Sequence, residues 1–321
     1  MTPTPIFVIN PKSHKVDLNG STLSRVAVEY GDIPIVYFDG STPLGDLILP
    51  LLLEGRDTIY VEGGDGTVLA ALTACFEHYA AGHKLPQIAI LPGGSTNLAY
   101  KKLGLHVAEV DALKRSLSRV QNEEKAHTVE THNALLVETS ETTTPLVGFL
   151  LSTGSLARLM LYTQQNLHGK TRGSVSIARA ILQLGLFPQS TKYQDGLPVV
   201  RPSQFTEISA CGSTQSTEQA FSLFSTFHEL SLGLSPFWAR GDHSIGHTQA
   251  AWPIKRLRSG IAKAVLSKSS EGLARHGLTS SGCEAISFQC DGPVVFDGEE
   301  LSMPADQTFK VSVSPPLEFL R

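Results

Sequence analysis

Short apolar runs rich in β-branched and aromatic residues recur along the first third of the chain, at residues 5–9 (PIFVI), 34–38 (PIVYF), 58–62 (TIYVE) and 87–91 (QIAIL). Each has the length of a strand, and the intervals leave room for crossover helices, so the pattern predicts βαβ units and a helix-covered parallel sheet. Apolar periodicity predicts helices over 43–54, 66–81, 96–103 and 108–119, with poorer spacing over 21–29. After about residue 125 the rhythm changes. Runs at 133–138 (NALLVE), 146–151 (LVGFLL), 204–210 (QFTEISA), 285–289 (AISFQ) and 308–313 (TFKVSV) predict a region dominated by antiparallel strands. Helical patterns interrupt it at 154–166, 174–184 and 254–268.

The polar stretch 121–125 (QNEEK) lies between the two rhythms, where a solvated linker would let few contacts cross. The expected organisation is an α/β domain over residues 1–124 and a β-rich domain over 125–321, whose last residues can pack back on the first. A length of 321 residues suits two cores better than one. The stretch 254–268 would place Ile254, Leu257, Ile261, Ala264 and Val265 on one helical face. Lys255, Arg256, Arg258 and Lys263 would lie largely elsewhere, a pattern that suits either an anionic membrane or a solvated face.

Composition narrows the function classes. With 41% hydrophobic and 17% charged residues the chain can bury sizeable cores, and its net charge of −4 lacks the positive field that drives nucleic-acid binding. No run of about 18 apolar residues is present and the first ten residues do not read as a secretion signal. The expected location is cytoplasmic, peripheral on the inner membrane face if the protein meets lipid. The four cysteines, Cys75, Cys211, Cys283 and Cys290, form no CxxC pair, so neither a disulfide framework nor a zinc ribbon is indicated.

The candidate chemistry sits where predicted strands end. The third strand runs into Glu62-Gly63-Gly64-Asp65-Gly66-Thr67 and then an apolar helix. Glycines let backbone N–H groups approach a phosphate, and a following helix N-terminus favours negative charge. An aspartate there would repel phosphate unless a cation lies between them, so Asp65 points to Mg²⁺ or to proton handling. Alone, the motif also fits a tight turn with an aspartate helix cap. However, the fourth strand ends in Leu91-Pro92-Gly93-Gly94-Ser95-Thr96-Asn97 and the first in Asn10-Pro11-Lys12-Ser13. In an open parallel sheet ligands bind beyond the carboxyl ends of the strands, so three polar ends would share one crevice.

Other motifs carry less. Gly169-Lys170-Thr171 lacks the first glycine of a phosphate loop, since Gln164 stands in its place. His243 and His247 are four apart, but Gly241 and Gly246 argue against the helix that would align them on a metal. Phe296-Asp297-Gly298-Glu299 reads by itself as a hairpin turn with two surface acids.

Taken together and in this order, Asn10-Pro11, Gly63-Gly64-Asp65-Gly66-Thr67, Pro92 to Asn97 and Asp297-Gly298-Glu299 resemble the catalytic region of the diacylglycerol kinase family, which includes bacterial lipid kinases. The resemblance implies a parallel-sheet domain that binds ATP, followed by a β-sandwich-type domain that helps form the lipid cleft. It implies nucleotide contacts at Asn10, Gly63, Gly64, Asp65, Gly66, Thr67, Val68 and Leu69, and at Gly94, Ser95, Thr96 and Asn97. A further contact would fall somewhere in Asp39 to Thr42. Glu299 would be the base on the lipid hydroxyl, and Asp65 would join the magnesium network. The implied partners are ATP, Mg²⁺ and a lipid at the membrane surface.

The chain departs from the family at His14, where a glycine is common, and at Leu98, where an aspartate is. Two other readings share the loops. An NAD kinase-like phosphotransferase uses a similar GGDGT, although its second motif carries an Asn-Glu pair where this chain has Asn97-Leu98. A non-catalytic nucleotide- or lipid-binding protein would keep the loops without the transfer. Diacylglycerol, monoacylglycerol, phosphatidylglycerol and sphingoid bases all present a hydroxyl beside an apolar tail, so the motifs name a class of acceptor and no member of it.

Overall fold

The structure is a computed structural model that describes residues 5–106, 109–121, 128–140, 142–167, 191–230, 233–254, 274, 277–301 and 307–321. The expected helices over 174–184 and 254–268, most of the linker 121–125 and Gly169-Lys170-Thr171 lie outside the described residues.

In chain order the elements begin β1 (Pro5–Ile9), α1 (His14–Asn19), α2 (Thr22–Ala27), β2 (Ile35–Tyr37), α3 (Leu44–Leu53), β3 (Thr58–Gly63), α4 (Asp65–Ala80), β4 (Gln87–Pro92), α5 (Leu98–Leu103), α6 (Val110–Gln121) and β5 (Val129–His132). They continue β6 (Leu135–Thr139), β7 (Leu146–Gly148), β8 (Leu150–Thr153), α7 (Gly154–Leu167), β9 (Ser203–Ile208), β10 (Thr214–Ser225), β11 (Ile245–Ala251) and β12 (Leu278–Cys283). The last are β13 (Ile286–Cys290), β14 (Val294–Phe296), β15 (Glu299–Leu301), β16 (Thr308–Val313) and β17 (Leu317–Leu320).

Two compact units result. The first gathers Met1–Ala134, Thr144–Gly148 and Ser314–Arg321, and the second Leu135–Thr143 and Phe149–Val313. The first is built on a sheet of order β2-β1-β3-β4-β17-β5. Its first four strands are parallel, β17 runs parallel to β4, and only β5 is antiparallel. Every residue of β3 is buried, as expected of a strand covered on both faces, which is why it reads as an apolar run without alternation. In α4 the buried Val68, Ala71, Leu72 and Cys75 follow helical spacing and form its core face.

The second unit is a large antiparallel sheet in which β15, β14, β8, β10, β9, β13, β16 and β6 follow one another, with β11 and β12 branching from β10. The fold class thus agrees with the sequence: a mostly parallel, helix-bearing sheet and then an antiparallel one.

Several elements differ in detail. The run 146–151 is broken into β7 and β8, because the N–H groups of Phe149 and Leu150 turn to the Asp297 carboxylate at 2.9 and 2.8 Å. β7 stays with the first unit, where Val147 N–H reaches Thr73 Oγ1 on α4 at 3.0 Å. β10 escapes an apolar scan because its first five residues, TQSTE, are exposed. α1, the edge strand β5 and the short β17 beside it carry equally little pattern.

Of the two histidines with four-residue spacing, His243 is exposed beside Glu284 at 3.4 Å. His247 is buried, stacked on Phe224 with ring centres 4.2 Å apart, and within 3.2 Å of Ser222 Oγ. Burial lowers its pKa from 6.5 to about 4. A histidine kept neutral in the fold contributes fully above its unfolded pKa, and that contribution drains away as pH falls from about 6.5 towards 4. The shift is worth roughly 3 kcal/mol. His247→Phe, which keeps the stack and removes the titration, is expected to flatten the fall in urea midpoint between pH 7 and pH 4.5. An unchanged pH dependence would assign the acid sensitivity elsewhere.

Candidate active site

The order β2-β1-β3-β4 makes the gap between β1 and β3 the point where the winding reverses, and there the loops after β1, β3 and β4 are in direct contact. The N–H of Asn10 donates to Glu62 O at 3.0 Å, continuing the β1–β3 ladder one step past the strand. Its side chain then links two loops, accepting from Lys12 N–H and donating to Thr67 Oγ1, both at 2.9 Å. Ser13 is buried, and its Oγ accepts from Gly64 N–H at 3.2 Å. Lys15 N–H donates to Gly93 O at 2.7 Å. The first loop is thereby tied to both glycine loops.

The glycines serve close backbone approach. Gly63, Gly64, Gly93 and Gly94 all avoid the left-handed region. A Cβ on Gly93 would lie 2.6 Å from Gly63 Cα, one on Gly94 2.5 Å from Gly64 Cα, and one on Gly63 2.5 Å from Thr67 Cβ. The N–H groups of Gly93 and Gly94 both donate to Gly63 O, at 2.9 and 3.1 Å. Asn97 takes the left-handed conformation (φ 51°). Asparagine tolerates that region, and here its buried amide closes the loop by accepting from Gly94 N–H at 2.8 Å and donating to Gly94 O at 2.6 Å.

What this leaves open is a set of donors. The N–H groups of Asp65 and Gly66, at the start of the sixteen-residue α4, have no partner among the described residues. The same holds for the N–H and hydroxyl groups of half-buried Ser95 and Thr96. Val68 and Leu69, by contrast, bury their side chains in the core, and Val68 N–H is occupied by Gly64 O at 3.1 Å.

Asp65 does cap a helix, but not its own. Its Oδ1 accepts from Ala99 N–H at 3.1 Å, and the N–H groups of Leu98 and Asn97 also face it. It thus holds the start of α5 against that of α4. Burial raises its pKa, opposed by those N–H groups and by Lys101. Glu62, which the sequence reading passed over, does the same for α2: its buried carboxylate accepts from Ser21 Oγ and from Thr22 and Leu23 N–H at 2.8 and 3.1 Å. Ser13 was likewise missed as a contact residue, and its only signal was its place in Asn10-Pro11-Lys12-Ser13. Beyond β2, Asp39 accepts from Ser41 N–H at 3.0 Å and pairs with Lys12 at 2.9 Å. Those contacts, Ser41 first, hold its carboxyl well below the usual range.

No group of three metal-ligating side chains forms among the described residues. Magnesium characteristically keeps its waters and binds through one or two carboxylates and substrate phosphates, so a single Asp65 beside open phosphate donors fits an ion that would arrive with a nucleotide. The cap and the metal role separate by mutation. Asp65→Ala is expected to lose about 1 kcal/mol of unfolding free energy, while Asp65→Asn, whose amide oxygen still accepts, loses less. Equal losses in urea titrations would mean that the carboxylate charge, and not the cap, holds α5.

Glu299 belongs to the second unit. β14 and β15 are joined by Asp297 and Gly298, both at positive φ (46° and 92°), the two-residue turn that matches the twist of a hairpin. Asp297 is therefore committed to structure through Phe149 and Leu150, and Gly298 O accepts from Gln164 Nε2 at 2.6 Å. Glu299, next along, is exposed, and its carboxylate has no hydrogen-bond or ion-pair partner among the described residues.

A parallel α/β sheet with glycine-built loops at its switch point, followed on the same chain by a large antiparallel sheet, is the architecture the motif resemblance implied. Residues 5–130 match a family model described as the diacylglycerol kinase catalytic domain. Three solved structures, all of proteins from Bacillus anthracis str. Sterne, share the fold. One, of a provisionally assigned diacylglycerol kinase, has a TM-score of 0.63 at 15% identity and covers 98% of this chain and 95% of its own. Another with the same provisional assignment has a TM-score of 0.59 at 16% identity, covering 97% and 94%. A third, described as a diacylglycerol kinase, has a TM-score of 0.52 at 14% identity, covering 97% and 93%. No curated protein sequence matches the chain.

Proposed function

We propose that the protein is an ATP-dependent lipid kinase, transferring the γ-phosphoryl group of ATP to a hydroxyl of diacylglycerol or a related lipid. The observation that carries this reading is the convergence of two glycine loops and the Asn10–Ser13 loop at the β1/β3 switch point, where the N–H donors of Asp65, Gly66, Ser95 and Thr96 have no partner among the described residues. The family match over residues 5–130 supports it. In this reading Asn10, Gly63 to Thr67 and Gly94 to Asn97 hold the nucleotide, and Val68 and Leu69 support the loop from the core. Asp65 orders the α5 loop and faces the magnesium that accompanies ATP. That ion would neutralise charge on the phosphate oxygens. Glu299 accepts the proton of the lipid hydroxyl, a task for a carboxylate free of other partners.

The acceptor is at the membrane surface, and the protein works there peripherally; none of the described helices is long and apolar enough to cross a membrane. A thermal-shift comparison tests the nucleotide half. ATP with Mg²⁺ is expected to raise the melting temperature and NAD to leave it unchanged. A response to NAD alone would favour the NAD kinase-like reading.

A further inference from the structure

The first unit has a second concave site, at the opposite end of its sheet from the glycine loops. It lies where β3 and β4 begin, encloses about 370 Å³, and falls within the size range of small-molecule pockets. Four basic side chains line it: Arg56 from the turn before β3, His78 from the last turn of α4, and His83 and Lys84 from the turn before β4. Leucines, Leu85 among them, and Pro86 supply apolar walls.

Cations near helix ends commonly serve the last carbonyls, but here five of them already accept from backbone N–H groups. Pro50 and Leu52 O accept from Glu54 and Gly55 N–H at 3.2 and 3.0 Å, and Glu77, Tyr79 and His78 O accept from Ala81, Gly82 and His83 N–H at 3.1, 2.9 and 3.4 Å. The basic groups themselves are poorly used. Arg56 Nε is buried without a hydrogen bond, and its guanidinium makes one long contact to Pro5 O at 3.4 Å and a 4.0 Å approach to Glu54. The side chains of Lys84 and the 7% exposed His78 have no hydrogen-bond partner among the described residues. His78 stacks on His83 with ring centres 4.5 Å apart, and burial, then His83, keeps it towards its neutral form. His78 therefore offers an N–H donor, with the His83 ring beside it, while Arg56 and Lys84 supply the charge. Asp57 is the lining carboxylate, and it accepts from Thr58 Oγ1 at 3.0 Å.

Two cations, two imidazoles and apolar walls suit a dianion with a compact apolar body. We propose that this cleft binds a phosphomonoester, independently of the glycine loops. The test is calorimetric titration of the full chain with phenyl phosphate, inorganic phosphate and phenol. Phenyl phosphate should bind, inorganic phosphate more weakly, and phenol not at all. Removing a charged hydrogen-bond partner typically costs enough to weaken binding about tenfold or more, which Arg56→Gln and Lys84→Gln should each show. Lys84 is exposed, so its variant reads the site without risk to the fold. Gly64→Ala, which disturbs the glycine loops, should leave phenyl phosphate binding intact. Loss of binding in Gly64→Ala with retention in Lys84→Gln would move the ligand to the glycine loops and overturn the proposal, as would no binding by wild type.

Discussion

Glu299→Gln is expected to lose about 10²- to 10⁴-fold in turnover, the range general base catalysis supplies, while ATP and lipid affinity stay near wild type. A lipid alcohol is a poor nucleophile at neutral pH, and its proton must go to a positioned base as the bond to phosphorus develops. Positioning and cation stabilisation provide most of the rest of phosphoryl transfer. The hairpin supports this division of labour: Asp297 is spent on Phe149 and Leu150, whereas the Glu299 carboxylate is exposed and has no partner among the described residues. The amide is isosteric and leaves the two-residue turn intact, so a loss confined to turnover isolates the proton transfer. Near wild-type turnover would remove Glu299 from the chemistry and make Asp65 the first candidate.

Gly64→Ala should separate folding from nucleotide binding. The backbone at Gly64 is extended (φ −87°), and an added Cβ would stand 3.4 Å from Gly94 Cα, an ordinary contact. Its neighbours tolerate nothing, since Gly93→Ala would drive a methyl into the Gly63 backbone at 2.6 Å. Gly64→Ala is therefore expected to keep its unfolding midpoint and to lose roughly tenfold to hundredfold in ATP affinity, the cost of crowding a close-packed contact. Equilibrium binding of a fluorescent ATP analogue, with melting temperature as the control, decides it. Undiminished affinity would place the phosphates elsewhere.

The central strands were legible because each is buried on both faces and must be apolar throughout. The meeting of the three loops followed from the rule that parallel strands present their carboxyl ends to one side. What the sequence concealed was how the glycines are used. Gly93 and Gly94 stay out of the left-handed region and serve contact with Gly63 and Gly64, while Asn97 takes the left-handed position. Glu62 and Asp65 sit three apart in one motif and cap two different helices, α2 and α5, an arrangement that depends on tertiary packing and leaves no local pattern. The polar ribbon of β9 and β10 was half hidden for the opposite reason, because exposed strands have no need of apolar residues.

The most direct measurement of the central claim is transfer of label from [γ-³²P]ATP to extracted lipid, with the full chain, Mg²⁺ and vesicles carrying a panel of hydroxyl-bearing lipids. The account predicts a radiolabelled phospholipid from at least one diacylglycerol-like acceptor, dependent on Mg²⁺ and reduced at least a hundredfold in Glu299→Gln. ATP binding that stabilises the fold, with no labelled lipid across the whole panel, would contradict it and leave a nucleotide-binding protein in its place.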